Sequence, residues 1–410
     1  MERFVTGVTY WPAEVGPYLW HEFPAPQVRA DLAEIAARGF DTVRVLLAWD
    51  AFMPSDREVH PQRLAELGML LEVAAEHSLR VVPVLFAQSI GDCVMLPGYT
   101  VDPGASRPGV RVLSDGRAGR GGPRDLYTDP LMIELAGRWL EALLASFAHH
   151  PALAAWDLGH DPAATVRPRR FGDMPFWVRL MADQIHAAGD ACWLTLGADD
   201  LLTARGVRLR TVVSHVDALG IAVFPQVLGL ASDPLDVEAV HFLNDLARAF
   251  AGENVGAIVV STGVAASTTE SELAADRPEA RPGLRPRPVR ASPLDPPPVE
   301  PIVAGRHAME LLDRLPAAGA AGALAWSWLG AGPRLAGGPP FDRFPFLGRC
   351  GLVDAEGRMT PAGEAWQALA AREVEVARAP SWNPPVGEED YYAHLPESAR
   401  DVFSSWRGAR

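Results

Sequence analysis

The stretch LAAWDLGHDP, residues 153–162, joins a short apolar run to a group of polar residues. It is one of eight such runs that alternate with stretches of helical periodicity. Continuous apolar runs are typical of parallel strands that are covered on both faces. We predict strands at residues 4–10, 42–47, 80–86, 153–158, 192–196, 218–223, 257–261 and 322–326.

The segments between these strands carry helix signals. Helical periodicity covers residues 28–38, 62–77, 130–149 and 176–188, and Asp129 before Pro130 is typical of a helix start. Strands and helices that alternate eight times predict one α/β domain, a (β/α)8 TIM barrel. A doubly wound open sheet is the main alternative, but the sequence has no glycine-rich turn of the GxGxxG or Walker type.

Two segments interrupt this alternation. We assign residues 1–371 to the barrel and residues 276–301, which are rich in Pro and Arg, to a long loop after strand seven. This loop follows a strand end on the face where barrel active sites lie, so it is either disordered or a lid or docking arm. Residues 372–410 are predicted to form an extended tail on the barrel or on a partner.

Composition limits the class of protein. The chain has 410 residues, 48% of them hydrophobic, and a formal net charge of −14, which argues against nucleic acid or an anionic membrane as a partner. Its three cysteines are scattered, and we see neither a signal peptide nor an apolar run long enough to span a membrane. We therefore expect a soluble, cytoplasmic protein without a cofactor or a metal site.

The polar end of the quoted stretch carries a family resemblance. AWDLGHDP, residues 155–162, resembles the W-D-L-G-N-E-P segment of family 5 glycoside hydrolases, which are cellulase- and mannanase-like TIM barrels of clan A. YWP (10–12), GFDTVR (39–44), VPVLF (82–86), LYTDP (126–130) and GALAW (322–326) resemble other family segments in the same order. The resemblance implies a retaining mechanism with two carboxyl groups about 5–5.5 Å apart, at the ends of strands four and seven.

Both catalytic positions depart from the family pattern. The acid/base position holds Asp161, whose shorter side chain withdraws the carboxyl group by about 1.5 Å. The nucleophile position holds Ser261, and an alcohol without an adjacent base is a poor nucleophile. Phe224 and Gly330 stand where the family carries polar groups after strands six and eight. The sequence therefore predicts a barrel that has lost hydrolysis and acts as a carbohydrate-binding or regulatory or structural subunit.

Several alternatives stay open. An active enzyme would use Asp161 as the acid and Glu270 or Glu272 as the base. Arg44, inside an apolar strand, needs a charged partner, either in the site or in a structural ion pair. Tryptophans near strand ends stack on sugars or simply fill the core. We take Arg44, Trp49, His160, Phe224 and Trp326 as candidate substrate-binding residues. A carbohydrate, a second copy of the chain or an active relative are the candidate partners.

Overall fold

Eight parallel strands form a closed barrel in the computed structural model, which describes residues 3–252, 255–269, 273, 296–377 and 382–409. The strands are β1 (Val5–Thr9), β2 (Thr42–Leu46), β3 (Arg80–Ile90), β4 (Trp156–His160), β5 (Cys192–Gly197), β6 (Ala218–Ala222), β7 (Gly256–Thr262) and β8 (Gly322–Trp326). Each strand pairs with the next in sequence, and β1 also pairs with β8, which closes the sheet. The predicted (β/α)8 fold is confirmed.

Helices cover the outer face of this barrel. They are α1 (Ala25–Ala37), α2 (Pro61–Glu76), α3 (Pro130–Phe147), α4 (Asp173–Ala187), α5 (Leu209–Val213), α6 (Val237–Ala251), α7 (Pro301–Arg314) and α8 (Pro361–Ala370). Helix α3 begins as its sequence predicts, with the Asp129 carboxylate accepting the backbone N–H of Leu131 at 3.0 Å. None of the helices within the described ranges is long and apolar enough to cross a membrane.

The fourth strand lies further along the chain than its apolar run predicts. It begins at Trp156 and ends at His160, whereas residues 153–155 precede it. The strand continues through the polar residues of this stretch because the side chains of Asp157 and His160 are buried inside the barrel. This shift places His160 within the strand and Asp161 directly after it, at the face where barrel active sites lie.

The loops that follow the barrel strands, at the face where barrel active sites lie, are unequal in length. The chain after β3 adds short strands at Cys93–Met95, Arg111–Ser114 and Arg117–Gly119, which extend the sheet beyond the barrel. The chain after β8 contains short helical turns at Pro333–Leu335 and Pro345–Gly348. The Pro/Arg-rich insertion predicted at 276–301 lies outside the described residues as far as 295, and α7 begins at Pro301.

The tail differs from the extended segment that its prolines suggest. It contains α9 (Glu388–Ala393) and α10 (Glu397–Gly408). The rings of Phe403 and Trp406 lie 5.2 and 5.8 Å from that of Phe242 on α6, and the Trp406 indole donates to Asp245 at 2.9 Å. Apolar residues spaced for one helix face explain this packing, which covers part of α6 with the chain's own tail.

Candidate active site at the barrel mouth

A buried ion pair lies at the base of the candidate site. Arg44 on β2 donates to one carboxylate oxygen of Asp157 on β4, from Nε at 3.0 Å and from Nη2 at 2.8 Å. Both side chains are fully buried. Thr195 on β5 donates its hydroxyl to the same oxygen at 2.6 Å, and its backbone N–H donates to the other at 3.0 Å. This network satisfies the charges of both partners inside the barrel, as burial requires.

Ser261, which the sequence predicts at the nucleophile position, lies near the end of β7. Its hydroxyl accepts from Arg44 Nη1 at 3.4 Å and lies 3.5 Å from the Thr9 hydroxyl. The side chain is fully buried, and its backbone has a φ of 51°. The contacts of Ser261 are therefore a cation and a neutral hydroxyl, neither of which removes a proton from an alcohol.

Asp161, which the sequence predicts at the acid/base position, directs its side chain towards the loop after β5. Its backbone has a φ of 56°, and its carboxylate accepts from the Ala164 N–H at 3.2 Å, so it caps the short helix Pro162–Thr165. It also forms an ion pair with Arg205 at 3.1 Å. Burial raises the pKa of Asp161 above its usual value, although Arg205 opposes this effect.

A second carboxyl group, that of Asp200, shares the same guanidinium. Asp200 lies 3.7 Å from Arg205 Nη1, and its Oδ2 accepts the Gly197 N–H at 3.2 Å. Burial, and then the charge of Asp161, raise the pKa of Asp200 well above its ordinary value. One cation thus faces two neighbouring carboxyl groups, of which that of Asp200 is fully buried and that of Asp161 is 20% exposed. This arrangement favours a protonated state for one of them.

We expect Asp200→Asn to reduce the loss of stability that the wild type shows at higher pH. The raised pKa means that the folded protein holds this proton more tightly than the unfolded chain, so the contribution of Asp200 to stability is largest at low pH. That contribution is lost as pH rises from about 4 through the raised pKa. Asparagine carries no charge and keeps an oxygen for the Gly197 N–H. Urea unfolding midpoints at about pH 4.5 and pH 8 measure the effect.

Asp199→Asn is the matched control for this test. Asp199 also pairs with Arg205, at 2.6 Å, but its side chain is 55% exposed. The gain of Asp200→Asn over the wild type should grow with pH, whereas the control shows no such gain. An equal effect of Asp200→Asn at both pH values would contradict a raised pKa at this residue.

Aromatic side chains fill the mouth of the barrel. The Trp326 ring stacks on His160, with centroids 5.7 Å apart and an interplanar angle of 11°. Trp11 and Phe224 meet Trp326 edge-on at 4.6 and 5.7 Å. Phe341, from the chain after β8, packs edge-on against Trp11 at 6.2 Å. Phe346 packs edge-on against Phe224 at 5.6 Å. We call Trp11, Phe224, Trp326, Phe341 and Phe346 the aromatic cap.

The aromatic cap leaves little of its interior open to solvent. Trp326 is 1% exposed, and its indole N–H donates to the Leu347 carbonyl at 3.0 Å. His160 is 4% exposed, and its Nδ1 has no hydrogen-bond partner among the described residues. Burial, followed by the charge of Arg44, holds the pKa of His160 well below its usual value, so the imidazole is neutral.

The five candidate substrate-binding residues do not form one surface. His160, Phe224 and Trp326 meet in the aromatic cap, and Arg44 lies beneath them. Trp49 lies elsewhere, 2% exposed and stacked on Trp139 of α3 with centroids 5.5 Å apart. It fills the layer between barrel and helices and presents no free face to a ligand.

The sequence analysis missed two parts of this site. Thr195, Asp200 and Arg205 come from β5 and its loop, where no family motif was recognised. The carboxyl pair Asp199–Asp200 directly follows a predicted strand, so inspection of every strand end would have found it. The aromatic cap depends on contacts with the chain after β8, for which the sequence has no periodic signal.

Solved structures support the fold, although no family profile and no curated protein sequence match the chain. A GH5_18 variant from Streptomyces cattleya in complex with Manβ1-4GlcNAc has a TM-score of 0.74 and 20% identity, over 99% of this chain and 91% of that one. A GH5_18 variant from Bifidobacterium longum subsp. longum with the same ligand has a TM-score of 0.69 and 15% identity, covering 90% and 78%.

A larger solved protein is also similar in fold to this chain. The exo-β-1,4-mannosidase Op5Man5 from Opitutaceae bacterium strain TAV5 has a TM-score of 0.69 and 22% identity over 90% of this chain. The chain spans 59% of the length of that mannosidase. At these identities the likeness shows the fold alone. The chain is a (β/α)8 barrel of the kind found in family 5 glycoside hydrolases, and the resemblance seen in its sequence is confirmed at that level.

Proposed function

We propose that this chain is a pseudoenzyme, a glycoside-hydrolase-like barrel that does not hydrolyse glycosides and acts as a regulatory or structural subunit. The observation that carries the proposal is Ser261, a buried hydroxyl between Thr9 and Arg44 at the nucleophile position. Double displacement requires an anionic oxygen beneath the anomeric carbon, and a retaining site places it about 5–5.5 Å from the acid/base carboxyl. Among the described residues, the hydrogen-bond contacts of the Ser261 hydroxyl are Thr9 and Arg44, and neither is a base that would supply such an anion.

The aromatic cap gives independent support. A sugar ring needs a concave site with open aromatic faces and a few converging polar groups. In this chain His160 stacks on the Trp326 ring, and Trp11 and Phe224 pack against the same ring in T-shaped contacts. Carbohydrate binding at the mouth would therefore require the aromatic cap to move. For this reason we favour a regulatory or structural role, with a second copy or an active relative as the partner.

An assay on an aryl β-mannoside and on β-1,4-linked manno- and cello-oligosaccharides tests the proposal. The wild type should release product at the rate of the buffer blank, and Asp161→Asn should not change that rate. An active family 5 glycoside hydrolase serves as the positive control, and Asp199→Asn is the matched variant. Turnover that Asp161→Asn lowers by about 100-fold or more, while Asp199→Asn does not, would identify Asp161 as a general acid and overturn the proposal.

A second candidate is an active glycosidase that uses Asp161 as its acid. The observation that favours it is the raised pKa of Asp161, since a general acid must hold its proton near neutral pH. Its base would be Glu270 or Glu272, which lie outside the described residues. In the same assay, this candidate requires Glu270→Gln or Glu272→Gln to abolish turnover together with Asp161→Asn.

A further inference from the structure

A cavity of about 420 Å³ lies beside the barrel mouth, between the loops that follow β3, β4 and β5. Three arginines line it, one from each loop: Arg107, Arg167 and Arg205. Its other walls include the small residues Gly91 and Ala163 and the backbone around Gly109. No residue of the aromatic cap lines this cavity.

Only one of the three arginines has its charge balanced by the protein. Arg205 pairs with Asp161 at 3.1 Å and with Asp199 at 2.6 Å. Arg107 donates to the Ala164 carbonyl at 2.6 Å, which is a neutral acceptor. Within the described ranges, neither Arg107 nor Arg167 forms an ion pair. Among the residues that the structure describes, the guanidinium groups of Arg107 and Arg167 therefore have no counter-ion in this cavity.

The one acidic residue in the cavity wall does not supply that counter-ion. Asp92 already pairs with Arg111 at 2.7 Å and with Arg343 at 3.1 Å. Burial lowers the pKa of Arg107, and the neighbouring charge of Arg167 lowers it further. Arg107 is partly buried and Arg167 is exposed, and both line the same cavity. Like charges that face one cavity repel each other, so an anion placed between them would relieve that repulsion.

We propose that this cavity binds a small phosphomonoester through Arg107 and Arg167. A phosphomonoester carries about −1.5 to −2 charges at neutral pH, which matches two unpaired guanidinium groups, whereas a carboxylate or sulfate ester carries only one. The planar guanidinium forms paired N–H···O bonds with phosphate oxygens. The cavity volume lies within the range of about 300–1,000 Å³ for small-molecule sites, which leaves space for a sugar-sized group. This binding role does not depend on whether the barrel mouth is catalytic.

Calorimetric titration of the full-length wild type tests this role with three probes: glucose 6-phosphate, inorganic phosphate and glucose. Glucose 6-phosphate should bind, and inorganic phosphate should bind more weakly because it leaves most of the cavity empty. Glucose at the same concentration should give no signal. Inorganic phosphate that binds as tightly as the ester would assign the cavity to free phosphate and overturn the ester assignment. Failure of both phosphate-bearing probes to bind would overturn the proposal.

The double variant Arg107→Gln/Arg167→Gln should weaken glucose 6-phosphate binding by about ten-fold or more, because it removes charged hydrogen bonds to the phosphate. The control is Arg117→Gln/Arg170→Gln, which removes two exposed arginines from the same two loops and should stay within about two-fold of the wild type. Arg167→Gln alone, at an exposed side chain, gives a second measurement that does not disturb the fold. Wild-type affinity in both Arg107→Gln/Arg167→Gln and Arg167→Gln would contradict the assignment.

Discussion

Arg44→Met should lower the free energy of unfolding by about 3–5 kcal/mol, because removing one partner of a buried ion pair leaves the other charge uncompensated. Asp157 would lose the donors at 2.8 and 3.0 Å and keep only those from Thr195 and the Gly159 N–H. Its carboxylate is fully buried, so water does not replace the lost donors. Urea unfolding of the full chain at neutral pH measures the loss.

Two controls separate the buried charge from other effects of this substitution. Arg44→Met/Asp157→Asn removes both charges and should be more stable than Arg44→Met alone, since no uncompensated carboxylate remains. Arg29→Met breaks an exposed pair with Glu76 and should cost less than about 1 kcal/mol. A double variant no more stable than Arg44→Met would show that Arg44 stabilises the barrel by packing and not by charge.

The fold was predictable because each barrel strand has a local signal. A parallel strand buried on both faces is apolar along its length, and this pattern needs no knowledge of distant contacts. The exception is β4, where Asp157 is buried because Arg44, far away in the sequence, neutralises it. The end of a strand cannot be predicted from its apolar run alone when it contains a charged residue whose partner is distant in the sequence.

The direction of the Asp161 side chain could not be predicted for the same reason. Its residue type and its place after β4 follow from the sequence, but its orientation depends on Arg205, which lies on the next loop. The aromatic cap likewise brings Trp11 and Phe341 together from opposite ends of the chain. Long-range side-chain contacts of this kind have no periodicity, so motif spacing locates the positions but not the chemistry that they perform.

The backbone is strained at the two positions predicted to match the catalytic residues of family 5 glycoside hydrolases. Asp161 and Ser261 both have positive φ values, 56° and 51°. Such a conformation costs a residue other than glycine about 1–3 kcal/mol and persists only where the surrounding structure enforces it. The fold therefore holds a strained backbone at the ends of β4 and β7, where Asp161 and Ser261 lie. Neighbouring contacts, such as the bond from Arg44 to Ser261, hold this backbone in place.

Trp326→Ala should be the second large effect, a loss of about 3–5 kcal/mol in the free energy of unfolding, as for other buried large-to-alanine substitutions. Trp326 contacts His160, Trp11 and Phe224, and its truncation would leave a void among rigid rings. It would also remove the indole donor to the Leu347 carbonyl. Phe171→Ala, at a ring that is 59% exposed, is the control and should cost less than about 1 kcal/mol.

The Trp326 result distinguishes a closed barrel mouth from an open sugar site. In an open site the indole face is exposed to solvent and free to bind a ligand. Truncation then lowers the free energy of unfolding only slightly and mainly weakens sugar binding. In a closed site the same ring is part of the hydrophobic core, so truncation lowers the free energy of unfolding whether or not a sugar is present. A loss below about 1 kcal/mol, close to that of Phe171→Ala, would mean that the aromatic cap opens in solution. That outcome would favour carbohydrate binding at the mouth over the regulatory or structural role.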